Sequence, residues 1–230
     1  MQLNWLMRYQ PVVRLLDGMP AGTVLDVGSG WHGLSSYRTG RTVQTDLAFL
    51  GSPPERDRPG TALFLAATAE KLPFADRSFD YAVSLDMFEH LPAGIREESV
   101  RELCRVARRA VLVGFPAGRP AKAVDETLYR LIRLRRGSVP DWLVEHREQE
   151  RYPDYAMLAD ALPHGWVIAR EVKSGNVASQ TALVFAEQVP GVRRITQRLE
   201  RHWRVRGVPP ILDRGVSYRT IFVVQPEPSI

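Results

Sequence analysis

The run Val24-Leu25-Asp26-Val27-Gly28-Ser29-Gly30-Trp31-His32-Gly33 constrains the fold more than any other stretch. A short apolar β-branched segment that ends in glycines reads as a strand leading into a tight turn. Glycine removes the Cβ atoms that would block a ligand, so main-chain N–H groups at the next helix can approach it closely. A nucleotide-like ligand is implied. Four more apolar runs follow in the first half of the chain, Thr42 to Thr45, Ala62 to Ala66, Phe79 to Leu85 and Ala110 to Gly114. Such runs, alternating with amphipathic stretches, are the pattern of βα units that build a parallel sheet covered on both faces. Val100, Leu103, Cys104 and Ala107 recur at helical spacing, with Arg101, Glu102, Arg105 and Arg108 on the other side, which predicts a crossover helix with Cys104 on its buried stripe.

The second half reads differently. Val124, Leu128, Leu131 and Ile132 form a helical stripe stopped by Gly137 and Pro140. A charged loop, Glu145 to Arg151, is expected next, then a short helix near Tyr155 to Leu162 and a strand from Trp166 to Val172. A helix from Gln180, closed at Pro190, precedes another in which Val192, Ile195, Leu199 and Trp203 face one way. Tyr218 to Val224 alternates and closes the chain as the last strand. The expected class is α/β, and one domain spans residues 1–230: an N-terminal helical segment over 1–20, a first half over 21–115, and a second half over 116–230 with helical insertions at about 118–162 and 176–215.

Composition narrows the class. At 44% apolar and 25% charged residues the chain can bury a real core. Its single cysteine forms no internal disulfide, which fits a reducing compartment, and no basic start leads into an apolar run, so a cytoplasmic protein without a membrane span is expected. The net charge of +5 lies wholly in the second half, where Lys and Arg number 18 against 13 acids, while residues 1–115 hold 13 of each. Basic stripes near 122–136 and 193–206 have the composition of helices that meet a membrane surface or an acidic partner, although a solvated surface accounts for them more simply.

Asp46 closes the second strand 18 residues after Gly28, the distance at which a carboxylate can accept hydrogen bonds from both hydroxyls of a ribose. Gly28-x-Gly30-x-x-Gly33 alone would also fit a nicotinamide dinucleotide. Two features separate the readings. Asp26 stands two residues before the first glycine, where a pyrophosphate would be repelled but an ammonium welcomed, through a water or main-chain bridge. Then come Ala69-Glu70-Lys71-Leu72-Pro73-Phe74-Ala75-Asp76-Arg77-Ser78-Phe79-Asp80 and Tyr81-Ala82-Val83-Ser84-Leu85-Asp86-Met87-Phe88-Glu89-His90-Leu91-Pro92. With these segments, residues 20 to 115 resemble the class I S-adenosylmethionine-dependent methyltransferases, in particular the small-molecule group called type 11.

The resemblance implies a Rossmann-like doubly wound sheet of seven mainly parallel strands with helices on both faces, the last strand antiparallel beside the fifth and sixth, with residues 21–115 as the cofactor-binding half, 116–230 as the acceptor-side half, and S-adenosyl-L-methionine as cofactor. It implies that Asp26, Gly28, Ser29 and Gly30 serve its methionine part, Asp46 its ribose and Leu47 its adenine. Thr68, Ala69 and Glu70 would border the adenine edge, and Asp86 with Phe88 would form the floor beside the sulfonium. The sequence departs from the family at two places. His32 stands where a third glycine is usual, with Gly33 one residue later, and Thr68 replaces an aspartate that usually binds the adenine amino group. The expected activity is in-line methyl transfer to a small-molecule acceptor, a hydroxyl favoured, driven mainly by placement. His90, after the fourth strand, is the first candidate for a catalytic base, and Glu145 and His146 lie where these enzymes build the acceptor pocket. Trp5, Tyr9, Trp142, Tyr152, Tyr155 and Trp166 are candidates to line it. A nucleic-acid acceptor is disfavoured, because Asp86-Met87-Phe88-Glu89 lacks the proline pair of the amino-methylating motif, and no metal is expected. The rival readings are a nicotinamide-dependent oxidoreductase and a binding protein that keeps the cofactor without the chemistry.

Overall fold

In the computed structural model, which describes residues 3–51, 60–135, 138–148, 152–187, 189 and 191–228, the apolar runs become seven strands. These are β1 (Val24–Val27), β2 (Gly40–Asp46), β3 (Gly60–Ala66), β4 (Phe79–Leu85), β5 (Ala107–Pro116), β6 (Trp166–Asn176) and β7 (Ser217–Pro226). They form one sheet in the order β3-β2-β1-β4-β5-β7-β6. The first five pair in parallel. β7 runs antiparallel between β5 and β6. Every residue of β4 is buried, as its unbroken apolar run requires of a central strand.

Seven helices accompany the sheet: α1 (Leu3–Asp17), α2 (Ala93–Val106), α3 (Gly118–Leu134), α4 (Asp141–Glu148), α5 (Tyr155–Ala161), α6 (Val177–Glu187) and α7 (Arg193–Arg206). On one face, Val100, Leu103 and Cys104 of α2 and Leu158 of α5 pack on Leu25, Ala82, Val111 and Phe222. On the other, Tyr9, Val12 and Leu16 of α1 pack on Val24, Tyr81, Val83, Leu112 and Ile221. Each fully buried large apolar side chain contributes about 1.5–3 kcal/mol, so this double covering fixes the sheet. Burial pushes the Cys104 thiol up to about 12, as suits a packing residue. A third cluster joins Val124, Leu128 and Ile132 of α3 to Leu143 of α4, Val184 of α6 and Tyr218 of β7, and this group roofs the carboxyl end of the sheet.

Several expectations are corrected. No α-helix follows β1; the connection to β2 holds a single 3-10 turn, Leu34–Ser36. A Cβ on Gly33 would lie 2.4 Å from Gln44 Nε2 and 2.6 Å from Asp26 Oδ2, so the chain turns inward there, against the sheet. Glu145 and His146 lie on α4 rather than in a loop, because Leu143 and His146, three residues apart, are both buried against α3. In α7, Ile195 is 57% exposed, and Thr196 and Glu200 with the half-buried Leu199 and Trp203 make the inner face. Gly137 with Arg136, residues 149–151 of the expected charged loop, and Pro190 lie outside the described residues.

Candidate active site

Parallel strands direct their carboxyl ends and following loops to one rim of the sheet, and open α/β sheets bind ligands there. At this rim β1, β2 and β4 deliver Gly28, Gly30, Asp46 and Asp86 to two adjoining cavities. The larger, about 450 Å³, is lined by Val27, Leu47, Ala67, Ala69, Met87 and Leu91 as well as Gly28, Asp46, Asp86, His90 and Glu145. The smaller, about 280 Å³, shares Gly28, Asp46, Asp86 and His90 and adds Asn4, Trp5 and Arg8 of α1, Gly30, Glu89, Trp142 and His146 of α4, Gln180 and Tyr218. Another hollow of about 460 Å³ opens among Thr23, Arg41, Thr61 and Phe79, where the strands begin, away from these groups.

The glycine loop is shaped by its backbone. Gly28 and Gly30 have φ of +73° and +52°, a region costly for residues with a Cβ. A Cβ on Gly28 would meet Met87, whereas one on Gly30 would point into open space, so at Gly30 the main chain itself faces the hollow. Gly28 N–H donates to Thr45 O at 2.8 Å, tying the loop to β2. Gly30 N–H donates to Asp46 Oδ2 at 2.7 Å, which leaves the other Asp46 oxygen near Ala48 N at 3.4 Å.

The other expected site residues fall in distinct places. Leu47, 73% exposed, and Ala69 border the larger cavity, while Thr68 and Glu70 are beside it without lining it. Ser29 is buried, its hydroxyl donating to Gly30 O at 2.9 Å and accepting from Gln44 Nε2 at 3.2 Å. Asp26 is also fully buried behind the loop. Its Oδ2 accepts from Leu34 N–H at 2.7 Å and its Oδ1 has no hydrogen-bond partner. Burial raises this carboxyl to about 7, against the hydrogen bond from Leu34, which lowers it. Phe88 is not at the cavity floor; it is wholly buried and tilted against Phe115, because the turn after β4 directs Asp86 and Met87 to the rim and Phe88 to the core.

Asp86 carries the densest charge pairing. It adopts φ of +49°. Arg219 of β7 grips both its oxygens through Nε and Nη2, and Arg8 Nε lies 2.9 Å from Oδ2. Burial alone would raise the Asp86 carboxyl, but the two guanidiniums overcome it and hold it below its usual value. Next to it stands a cluster of histidines. His90 Nδ1 lies 2.7 Å from Glu145 Oε2, and His146 Nδ1 lies 2.8 Å from Asp125 Oδ2. The two Nε2 atoms face each other at 3.3 Å. Asp125, on α3, also accepts from the hydroxyls of Tyr152 at 2.6 Å and Tyr218 at 3.0 Å. Burial lowers the pKa of His90 and raises that of Glu89 well above the ordinary carboxylate range.

Of the aromatic candidates, Trp5 and Trp142 line the smaller cavity. Tyr9 is stacked in the core against Trp5 and Tyr37, and Tyr152 buttresses Asp125. Tyr155 lies against Phe222, and Trp166 separately packs at the edge of the α2–α5 cluster. Reading the sequence missed Arg8, Arg219, Asp125 and the pairing of His90 with His146. Arg219 alone left a visible sign, a charge inside an otherwise apolar strand.

Residues 25–114 match the model of the methyltransferase domain family, type 11. The chain is similar in fold to magnesium protoporphyrin IX methyltransferase from Synechocystis PCC 6803, seen with S-adenosylhomocysteine, at 15% identity and a TM-score of 0.55 over 95% of this chain and 82% of that one. An S-adenosylmethionine-dependent methyltransferase from Thermotoga maritima, described as a possible histamine N-methyltransferase, gives 15% identity and a TM-score of 0.55 over 98% and 89%. No curated protein matches the sequence. The nicotinamide reading is not favoured: the glycine loop here opens a 3-10 turn rather than the helix whose amino end holds a pyrophosphate. Among the described residues, no helix is long and apolar enough to cross a membrane. The match marks residues 25–114 as a methyltransferase domain, and the strand order around it is that of the class I methyltransferase fold.

Proposed function

We propose that the enzyme methylates a hydroxyl of a small molecule bound in the smaller cavity, between α1, α4 and the rim of the sheet. The observation that carries this reading is the sharing of Gly28, Asp46, Asp86 and His90 by the two cavities, so that a molecule in the larger one meets a molecule in the smaller one at the histidine cluster. The residues fit the cofactor. Asp46 offers a carboxylate at the end of β2, Gly30 leaves main chain bare to the hollow, and Leu47, Ala67, Ala69, Met87 and Leu91 give the larger cavity an apolar bed for a purine ring. Arg8, beside Gly28 and Gly30, supplies positive charge for the methionine carboxylate.

When bound, S-adenosylmethionine supplies a methyl group already activated by its sulfonium. The protein's part is placement. An acceptor oxygen held in line behind the methyl at about 3–3.5 Å gains most of its rate from orientation. Asp46 accepts hydrogen bonds from the ribose diol and fixes the cofactor's depth. Trp5 and Trp142 wall the acceptor, and Asn4 and Gln180 offer it neutral hydrogen bonds. The hydroxyl proton is released at the cluster around His90, which lines both cavities. Isothermal titration of the purified protein with S-adenosylmethionine tests the cofactor site. A panel of small hydroxyl, amine and carboxylate acceptors, scored for S-adenosylhomocysteine, tests the acceptor class. Turnover with amines alone would overturn the hydroxyl assignment.

A further inference from the structure

We propose that Glu89, His90 and His146 hold a divalent first-row transition metal, best filled by Zn²⁺, and that the acceptor oxygen completes its coordination. This deepens the function proposed above and rests on it for the acceptor.

A carboxylate can only accept, so the Glu145 and Asp125 oxygens beside the Nδ1 atoms of His90 and His146 place the ring proton of each neutral histidine on Nδ1. Both Nε2 atoms are then bare lone pairs, yet they face each other at 3.3 Å. A Glu89 oxygen lies 4.0 Å from His146 Nε2, and the Glu89 side chain is fully buried with neither oxygen hydrogen-bonded. With both histidines neutral and Glu89 ionised, three lone-pair donors thus converge on one point, and all three ligand atoms lie within 4.8 Å of one another. Without a cation or an added proton that arrangement is repulsive.

The spacing suits a metal. Zinc–nitrogen bonds of about 2.0–2.1 Å in a tetrahedron set neighbouring nitrogens about 3.3 Å apart, the separation of the two Nε2 atoms. Glu89, 4.0 Å from His146 Nε2, needs to close by about 0.7 Å to reach that spacing. Two imidazoles and one carboxylate with an open fourth position are the donor set of catalytic zinc sites. The outer groups fit as well. Metal-bound histidines usually donate their second N–H to a carboxylate, which fixes tautomer and orientation. Here Asp125 accepts from His146 Nδ1 and is itself held by two tyrosine hydroxyls in a buried setting, and Trp142 packs edge-on against the His146 ring. The open side faces the smaller cavity, lined by all three ligands.

In this site the metal polarises the acceptor hydroxyl. Its proton passes to solvent water, the oxygen forms the new bond to carbon, and the carbon–sulfur bond breaks with its electron pair left on sulfur. No further co-reactant is needed.

The test is metal binding by the full chain. Protein stripped with chelator and dialysed is titrated with Zn²⁺ by calorimetry and with Co²⁺ by visible absorption. One equivalent is expected, with the intense bands of a four-coordinate Co²⁺ site that added Zn²⁺ erases. His146→Ala and Glu89→Gln should each weaken Zn²⁺ binding at least 100-fold, and Asp125→Asn 10- to 100-fold. Circular dichroism and melting curves confirm folding, and Glu89→Gln serves if His146→Ala unfolds. Wild-type protein that takes up no Zn²⁺, or takes it up equally well as His146→Ala, overturns the site. S-adenosylmethionine titrated into the stripped protein separates the two claims. Cofactor binding without metal binding removes the metal and leaves the methyltransferase assignment, whereas loss of both removes the cavity assignment too.

Discussion

Asp26 is expected from the sequence to welcome the cofactor's ammonium through a water or main-chain bridge, its burial behind the glycine loop also fits a purely structural task, and Asp26→Asn distinguishes the two. The carboxyl is completely buried and raised to about 7 from an ordinary value of 3.8. The folded state therefore holds the proton where the unfolded chain has lost it. Between pH 4 and 7 each unit of rising pH costs the wild type about 1.4 kcal/mol relative to a variant that cannot ionise, and above pH 7 the cost stays constant. From pH 5 to pH 8 two units fall inside that window, so the wild type should lose about 3 kcal/mol of stability relative to Asp26→Asn. Asparagine keeps an oxygen for Leu34 N–H, so the loop retains its anchor. Urea unfolding of both proteins at pH 5, 6, 7 and 8 gives the difference, in which all other titrating groups cancel. Parallel pH profiles would refute the buried-acid reading. Calorimetry supplies the second arm. An acid acting only through the loop leaves S-adenosylmethionine affinity within about threefold, whereas a tenfold loss at unchanged stability would return Asp26 to direct contact with the ligand's charge.

Asp46→Ala removes the hydrogen bonds expected to the ribose, each worth about 1.5–3 kcal/mol to a charged acceptor, and also the anchor of Gly30 N–H. Cofactor affinity should fall by 10- to 1000-fold in a titration, with little change in melting temperature because the side chain lies at the rim. Arg219→Met leaves Asp86 buried with only Arg8 beside it. Breaking a buried pair by deleting one partner costs about 3–5 kcal/mol, read as a lower urea midpoint, while Asp86→Asn combined with Arg219→Met should recover much of that loss. Cys104, with its thiol raised to about 12 and buried on the inner face of α2, should resist iodoacetamide at pH 8 in the native protein and react fully in urea, as mass spectrometry would show.

The strands were legible because each is read from its own side chains. β4 is apolar throughout and buried throughout, and Asp46 ends β2 where the parallel register with β1 brings it to the glycine loop. What failed were features set by distant partners. The connection after β1 offers only the residues between Val27 and Gly40, and the need for Gly33 to press against Asp26 and Gln44 consumes the room an α-helix would take. Propensity has no access to that constraint. In α4, Glu145, Arg147 and Glu148 make the stretch look like solvent-exposed loop, since only Leu143 and His146 turn inward. Phe88 shows the same limit at the scale of one side chain: its place in the sequence is right for the cavity floor, but the turn beginning with Asp86 rotates it into the core.

The site is less legible than the fold for a related reason. Its charges are neutralised across the whole chain: Arg8 from the first helix and Arg219 from the last strand meet at Asp86, and Asp125 on α3 meets His146 of α4 and Tyr218 of β7. No window of sequence contains both members of any of these pairs. A buried charge left without its partner costs several kcal/mol, so each such residue predicts that a counter-charge exists but not where it lies. Arg219, wholly buried in an apolar strand, carries that information in its clearest form. Glu89 carries it too, with the difference that the described residues provide no hydrogen-bond partner for its oxygens. The same rule that explains Arg219 by Asp86 requires a proton or a cation at Glu89, and the two imidazole Nε2 atoms beside it, 3.3 Å apart, are placed to share the cation we propose.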